Sequence, residues 1–430
     1  MAKGRKYWDE AVETLPPKKL RRLQGERLQQ LVQHAYEKTA LYRRKLDEAG
    51  VKPGDIKGLD DLQKLPVTDD VKDIRGRPFA EKLAIPLNRV KMFHSTSGTT
   101  TGIPEAVPFS ARDVKVFFYG EARGRWTLGA RPWDVVQVLT RFDCCHWGYK
   151  TMGATMVMLS AGRYNTDQQI HLTRAAEVTV IEHMPSLVVK YFERAKELGI
   201  DIRDTKLRMV SGVGEALAET SKRKVEERYG IPFMTLWGSV ELGVAAVECE
   251  VRNGMHIFAD LTLIEVVDPE TLKPLPPGED GELIVTPLWG DAMPLIRYRL
   301  GDVAHILPYQ PCPCGRTLPR MSYVKGRASQ IVNVNGRKIL PLDLEEALAR
   351  TEGLAPDYQI VVDKPGVLPR LKVKAEYLPA SKDLARLKAR TEDNIGEVLG
   401  VKSEVELVPQ GYISAATTTF KAQRVVKTYK

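Results

Sequence analysis

Long apolar runs are missing from this sequence. Nowhere in its 430 residues do about eighteen apolar residues follow one another, so no segment reads as a membrane-spanning helix. The start, MAKGRKYWDE, has basic residues but no apolar stretch after them and does not read as a secretory signal. Cysteine is scarce: five residues, an odd count, which speaks against a disulfide framework and for reduced thiols in a cytoplasmic protein. Any cysteine cluster is then read first as metal-binding or catalytic. Basic runs interleaved with aromatics are lacking too. The net charge is +9, but the densest basic groups, Lys18-Lys19-Leu20-Arg21-Arg22 and the tail 421–430, offer no stacking platform for a nucleic acid. Nucleic-acid binding is therefore set aside, and anionic small substrates account for the positive balance equally well. Repeats and low-complexity tracts are absent.

What is present is an ordinary globular balance, 43% hydrophobic and 28% charged, in a chain longer than one core usually serves. Two or more domains are expected. Residues 18–50 read as helical, with Leu20, Leu23, Leu28, Leu31, Val32 and Ala35 spaced three and four apart. From about residue 85, short apolar runs (135–139, 178–181, 207–210) alternate with amphipathic stretches (184–198, 215–229), the pattern of α/β architecture with largely parallel strands. Residues 256–310 become strand-rich with Pro/Gly turns. Beyond Gly326 the pattern is a strand at 330–333, a turn at Asn335-Gly336, a helix at 341–350, strands at 357–363 and 370–377, a helix at 381–399 and a strand at 403–408. That is a compact α+β unit of domain size.

Five short segments carry chemistry. Ser95-Thr96-Ser97-Gly98-Thr99-Thr100-Thr101-Gly102 offers hydroxyls and unobstructed backbone N–H groups suited to phosphate oxygens, though it also reads as a plain flexible loop. It is not a Walker loop, because no Gly-Lys-Ser/Thr follows. Trp237-Gly238-Ser239-Val240-Glu241 places an aromatic for a flat base, a close-approach glycine and a carboxylate for magnesium in one turn. Tyr298-Arg299-Leu300-Gly301-Asp302 delivers an acceptor-only carboxylate that suits ribose hydroxyls, or an ordinary Gly-Asp turn. Gly326-Arg327 and Phe420-Lys421-Ala422-Gln423-Arg424-Val425 complete the series.

In this order the segments resemble the adenylate-forming superfamily of acyl-CoA synthetases, adenylation domains and luciferases. His94, the run Pro294-Leu295-Ile296-Arg297-Tyr298-Arg299 and Cys312-Pro313-Cys314-Gly315-Arg316 look closest to its phenylacetate–CoA ligase family. The resemblance implies an α/β fold with a large N-terminal adenylation domain of parallel-rich sheets, 1–326, and a small mobile C-terminal α+β domain, 327–430. It implies that Ser97, Gly98, Thr99, Thr100 and Gly102 wrap the pyrophosphate of ATP, and that Gly214 and Glu215 lie against adenine. Trp237 with Gly238 would cover the base, Glu241 hold magnesium, Asp302 hold the ribose and Arg327 reach the ribose or phosphate. Lys421 matches the lysine that contacts the substrate carboxylate and α-phosphate. Some positions depart from the family pattern: a third threonine, Thr101; Ile103 where a lysine usually precedes Pro104; Val240 before Glu241; and Ser329-Gln330 in place of an acidic pair at the hinge.

Cys249, His256, Cys312 and Cys314 offer three sulfurs and an imidazole, the ligand set of a structural zinc site, although the Cys-x-Cys spacing also admits unmetallated buried thiols. Cys144 and Cys145 read as core residues that could line the acid pocket. The resemblance runs that pocket along 141–149, where Arg141, Phe142, His146, Trp147 and Tyr149 suit an aryl ring, with Arg141 and His146 available to a polar substituent; a strand-end core segment is the alternative. The implied function is ATP-dependent activation of an aryl carboxylic acid to an acyl-adenylate and transfer to coenzyme A, with ATP, magnesium, coenzyme A and structural zinc as cofactors. An amine or carrier-protein acceptor, or a non-catalytic nucleotide-binding regulator, stays open, and a homodimer is admitted.

Overall fold

The computed structural model describes residues 4–96, 104–140, 143–158, 165–415 and 423–429. Its main sheet has eight strands: β1 (Val135–Val138), β2 (Thr155–Val157), β3 (Val180–His183), β4 (Met209–Gly212), β5 (Phe233–Ser239), β6 (Gly243–Glu248), β7 (Met255–Ile257) and β8 (Arg320–Met321). Their spatial order is β8-β7-β6-β5-β4-β3-β1-β2; β2, β1, β3, β4 and β5 run parallel, and β6, β7 and β8 continue antiparallel. The central parallel strands are buried on both faces and mostly apolar, with Gln137, Glu182, His183 and Ser211 as buried polar exceptions. Six helices matter below: α1 (Pro17–Lys38), α2 (Ala111–Leu128), α3 (Asp143–Met152), α4 (Pro185–Glu197), α5 (Glu219–Tyr229) and α6 (Pro341–Ala349). A second sheet packs four antiparallel strands in the order Thr262–Val267, Gly281–Pro287, Tyr298–Ala304 and Gly326–Arg327.

The α/β reading is borne out, with local differences that have physical causes. The helical stretch expected over 18–50 is broken at Thr39, whose extended backbone ends α1 and whose hydroxyl accepts the Tyr42 N–H to start the helix Ala40–Glu48. The strand expected at 330–333 begins later, at Val332. Residues Ala328–Gln330 form a 3-10 turn because the Gln330 side chain accepts the Arg327 N–H at 2.9 Å. Gln330 thus gives this turn a local cap that needs no charge.

The apolar cores are separate. One lies around the main and second sheets and includes Leu28, Trp126, Val136, Ala245 and Tyr298. Another, between β3–β5 and α4–α5, includes Val188, Phe192, Val210 and Phe233. A third gathers residues of the C-terminal quarter, among them Val334, Leu344, Ile360, Val373 and Val405, under the sheet formed by Leu354–Val362, Leu371–Tyr377, Ser403–Pro409 and Val425–Lys427. No helix among the described residues is long and apolar enough to cross a membrane.

Candidate active site

In an open parallel sheet the strand carboxyl ends open a crevice where ligands sit. Here β4 ends at Ser211-Gly212 and leads to Gly214 and Glu215, while β5 ends in Trp237-Gly238-Ser239. The chain reverses from β5 into β6 so tightly that a Cβ on Gly238 would meet the Gly243 carbonyl oxygen at 2.1 Å. Only glycine fits there. Glu215 is held by the Ser186 hydroxyl, which donates to its Oε2 at 2.6 Å.

Trp237 and Asp302 meet directly: the indole N–H donates to Asp302 Oδ2 at 3.0 Å. Arg327 Nε lies 2.9 Å from Asp302 Oδ1, and its Nη1 donates to the Leu300 carbonyl at 2.8 Å. Sheet pairing causes this contact, since Asp302 and Arg327 are register partners in the second sheet. Gly301 takes φ +87 immediately before Asp302, a left-handed conformation that glycine adopts freely. The expected base, ribose and phosphate residues therefore form one connected group.

Glu241 follows in the β5–β6 turn. Burial pushes its carboxyl above the ordinary value, and neighbouring Asp70 adds to the rise while Arg327 opposes it. Asp70 accepts the Tyr298 hydroxyl at 2.7 Å and Arg75 Nε at 2.6 Å. Asp70 was missed from sequence; its sole signal was the Asp69-Asp70 pair, which has no motif around it. Glu241 in the turn and Asp70 from the short helix Asp70–Ile74, which acts on it electrostatically, offer oxygen donors of the kind that fit a hard divalent cation.

Ser97, Gly98, Thr99, Thr100, Thr101, Gly102 and Ile103 lie outside the described residues, as do Lys421, Arg141 and Phe142. The stem of the Ser/Thr/Gly loop is described. Strands Met92–Ser95 and Ala106–Phe109 pair antiparallel, the Thr96 N–H donates to the Glu105 carbonyl at 2.9 Å, and the Glu105 N–H donates to Thr96 Oγ1 at 2.9 Å. Lys82, almost wholly buried, pairs with the Glu105 carboxylate.

Helix α3 carries the remaining acid-pocket candidates. Trp147 is exposed and stacks on Phe118 with ring centroids 5.2 Å apart; His146 is half-buried. Tyr149 is fully buried, and its hydroxyl donates to Glu182 Oε2 at 2.8 Å. Beneath it Arg125 bridges Glu121, at 2.5 Å, and Glu182, at 2.6 Å. Cys145 is buried as expected, and Cys144 is half-buried beside it.

The four predicted metal ligands converge. Cys249 follows β6, His256 lies in β7, and Cys312 and Cys314 come from the loop before β8; their ligand atoms all lie within 4.8 Å of one another. The Cys249 and Cys312 sulfurs are 3.8 Å apart, and Cys314 Sγ is 3.3 Å from His256 Nε2. A tetrahedral ion with metal–sulfur bonds of about 2.3 Å separates its sulfurs by about 3.8 Å. His256 Nδ1 lies 3.2 Å from the Leu318 carbonyl, which fixes that nitrogen as the donor and leaves Nε2 free to ligate.

A family model described as AMP-binding enzyme matches residues 20–287, and one described as AMP-binding enzyme C-terminal domain matches 336–428. The chain belongs to the AMP-binding enzyme family. Among its curated relatives, the phenylacetate-coenzyme A ligase of Thermus thermophilus is 35% identical, with 93% of this chain and 95% of the relative covered. That of Aromatoleum evansii is 32% identical over 97% and 96%. Among solved structures, a 2-hydroxyisobutyryl-CoA ligase in a post-adenylation complex with an acyl-AMP superposes with a TM-score of 0.90 at 26% identity, covering 99% of this chain and 93% of that one. The same ligase in the thioesterification state, with acyl-AMP and CoA, gives 0.72 at 28% identity, with the same coverage. The chain thus superposes more closely on that ligase's post-adenylation structure than on its thioesterification structure.

Proposed function

We propose that this chain is an AMP-forming acid–coenzyme A ligase acting on an aryl carboxylic acid, of the phenylacetate or benzoate kind. The observation that carries this reading is the Trp237–Asp302–Arg327 group at the sheet's carboxyl edge, in a chain whose curated relatives are phenylacetate–coenzyme A ligases. The substrate carboxylate attacks the α-phosphorus of ATP and expels pyrophosphate. The thiol of coenzyme A then attacks the acyl carbon and expels AMP. No side chain forms a bond to the substrate, so catalysis is positioning and charge neutralisation.

In this reading Trp237 and Gly238 pack on the base, with Gly214 and Glu215 at its edge. Asp302 exchanges its indole and guanidinium partners for the ribose hydroxyls, and the loop Ser97, Gly98, Thr99, Thr100 and Gly102 receives the phosphates. Glu241 with Asp70 would hold magnesium, which neutralises the phosphate charge. Residues 1–326 would bind ATP and acid, while 327–430 carry Lys421 to the reacting carboxylate and then turn away. The pocket beside α3 would take the ring, with Arg141, Phe142, His146 and Trp147 near it; Tyr149, buried on Glu182, supports the helix. Arg141 and His146 favour a ring with a polar substituent, which would be costly to bury unpaired. Cys249, His256, Cys312 and Cys314 would bind a structural zinc, since four protein ligands leave no open position. A cytoplasmic location accompanies these reduced thiols.

A panel of short-chain, long-chain, aryl and substituted aryl acids, assayed for pyrophosphate release with and without coenzyme A, tests the substrate class. Preference for an aryl acid is expected. Preference for long-chain acids overturns the aryl assignment, and turnover of unsubstituted phenylacetate that is insensitive to His146→Ala removes the polar substituent.

A further inference from the structure

Helix α5 opens without a cap of its own. Its N-cap residue is Ala218, and no side chain of its own segment receives the first amide groups. Those groups point instead at carboxylates from α6, on the far side of the junction with the C-terminal core. The Ala218 N–H donates to Glu345 Oε1 at 3.1 Å and the Glu219 N–H to Glu346 Oε1 at 2.5 Å. The Thr220 hydroxyl donates to Glu346 Oε2 at 2.6 Å. Two carboxylates at a helix N-terminus satisfy orphan donors and complement the positive end of the helix dipole. At the other end of α6, Lys224 reaches the Ala349 carbonyl.

The same junction leads to both ends of the reaction. The segment 211–215, the one assigned to adenine, ends three residues short of α5. On the C-terminal side, Arg424 stacks over the Tyr358 ring at 4.3 Å and lies 3.6 Å from Asp357, whose other oxygen is 2.7 Å from Lys190 on α4. Arg424 follows Lys421 by only three positions in the sequence.

We propose that Glu345 and Glu346 cap α5 across the junction, hold the C-terminal unit in the arrangement seen here, which the ligase reading takes to serve adenylation, and tie that arrangement to the adenine-facing segment. The inference rests on the ligase reading above. Both glutamates are positioning residues, because they touch no reacting atom. When the C-terminal unit turns away, α5 loses its caps, so the arrangement is favoured by contacts that exist only while it lasts.

The half-reactions separate this role from simple packing. In Glu345→Gln/Glu346→Gln, which keeps side-chain size, acid-dependent pyrophosphate release should fall roughly tenfold, as expected when charged caps become neutral ones. Acyl-CoA formation from supplied acyl-adenylate should be unchanged or faster, and Glu346 alone restored should recover most of the first rate. Equal loss in both half-reactions, or no loss in either, overturns the cap. Small-angle scattering of the full chain reads the same equilibrium without turnover: the double variant should be more expanded than the wild type. An identical profile overturns the inference even for a wild type inert toward every acid, an inertness that would itself refute the ligase reading.

Discussion

Asp302 shows how little of a site a single residue declares. In sequence it is a Gly-Asp turn; in the fold it accepts from Trp237, 65 positions away, and pairs with Arg327 through strand register. The types and their order were legible, and the direct contacts were not, because pairing across a sheet leaves no local signal. Lys421 is the opposite case: its proposed role rests on its motif alone. Lys421→Ala should slow adenylation about a hundredfold or more, about 3 kcal/mol of transition-state stabilisation, and spare thioester formation from supplied acyl-adenylate. Measured half-reactions that fall together would remove this assignment. Glu121 could not have been singled out from sequence. It shares one buried guanidinium, Arg125, with Glu182, and burial pushes its carboxyl up to about 8 against the pull of Arg125. Its folded-state value lies above the ordinary glutamate value, so the folded chain binds the extra proton between the two. Stability should therefore fall as pH rises from about 5 to about 8 and level off above that window. Glu121→Gln should flatten the slope in denaturation midpoints; an unchanged slope would assign the titration elsewhere.

Among the elements, the helices and parallel strands that were read lie within a few residues of those observed, because period and apolar runs report burial directly, while the helices Ala111–Leu128, Asp143–Met152 and Thr166–Ala175 were not read. Two boundary errors fell where one side chain overrode the pattern: Thr39 splitting a helical stretch, and Gln330 replacing a strand start with a turn. The cysteine–histidine group joins the residue after β6, β7 and the loop before β8, and its four members were legible from residue type. The tie to the N-terminal segment was not: the Tyr7 hydroxyl donates to the Cys314 carbonyl at 3.1 Å, and buried Arg316 pairs with Glu13 at 2.7 Å. Metal loss should therefore loosen residues before α1 as well as the β6–β7 hairpin. Protein purified without chelator should hold about one zinc per chain, and Cys312→Ser should lose it and lower Tm by roughly 5 °C or more. Elemental analysis that finds no zinc would contradict the assignment.

For the whole molecule, the crevice at the parallel edge, the second sheet that supplies Asp302 and Arg327, and the separate C-terminal core make a division of labour. In the proposed reading the first binds, the second orients, and the third would bring Lys421 in and out. The chain superposes on one ligase at 0.90 in its post-adenylation state and at 0.72 in its thioesterification state, a difference that this division accounts for. Its central claim is chemical: the carboxylate oxygen itself attacks the α-phosphorus. An aryl acid labelled with oxygen-18 in its carboxylate, turned over with ATP and coenzyme A, tests that claim most directly. Mass spectrometry should find one labelled oxygen in the phosphate of AMP and none in pyrophosphate, beside an equal amount of acyl-CoA. Label in inorganic phosphate with ADP as the product, or AMP free of label, would contradict it.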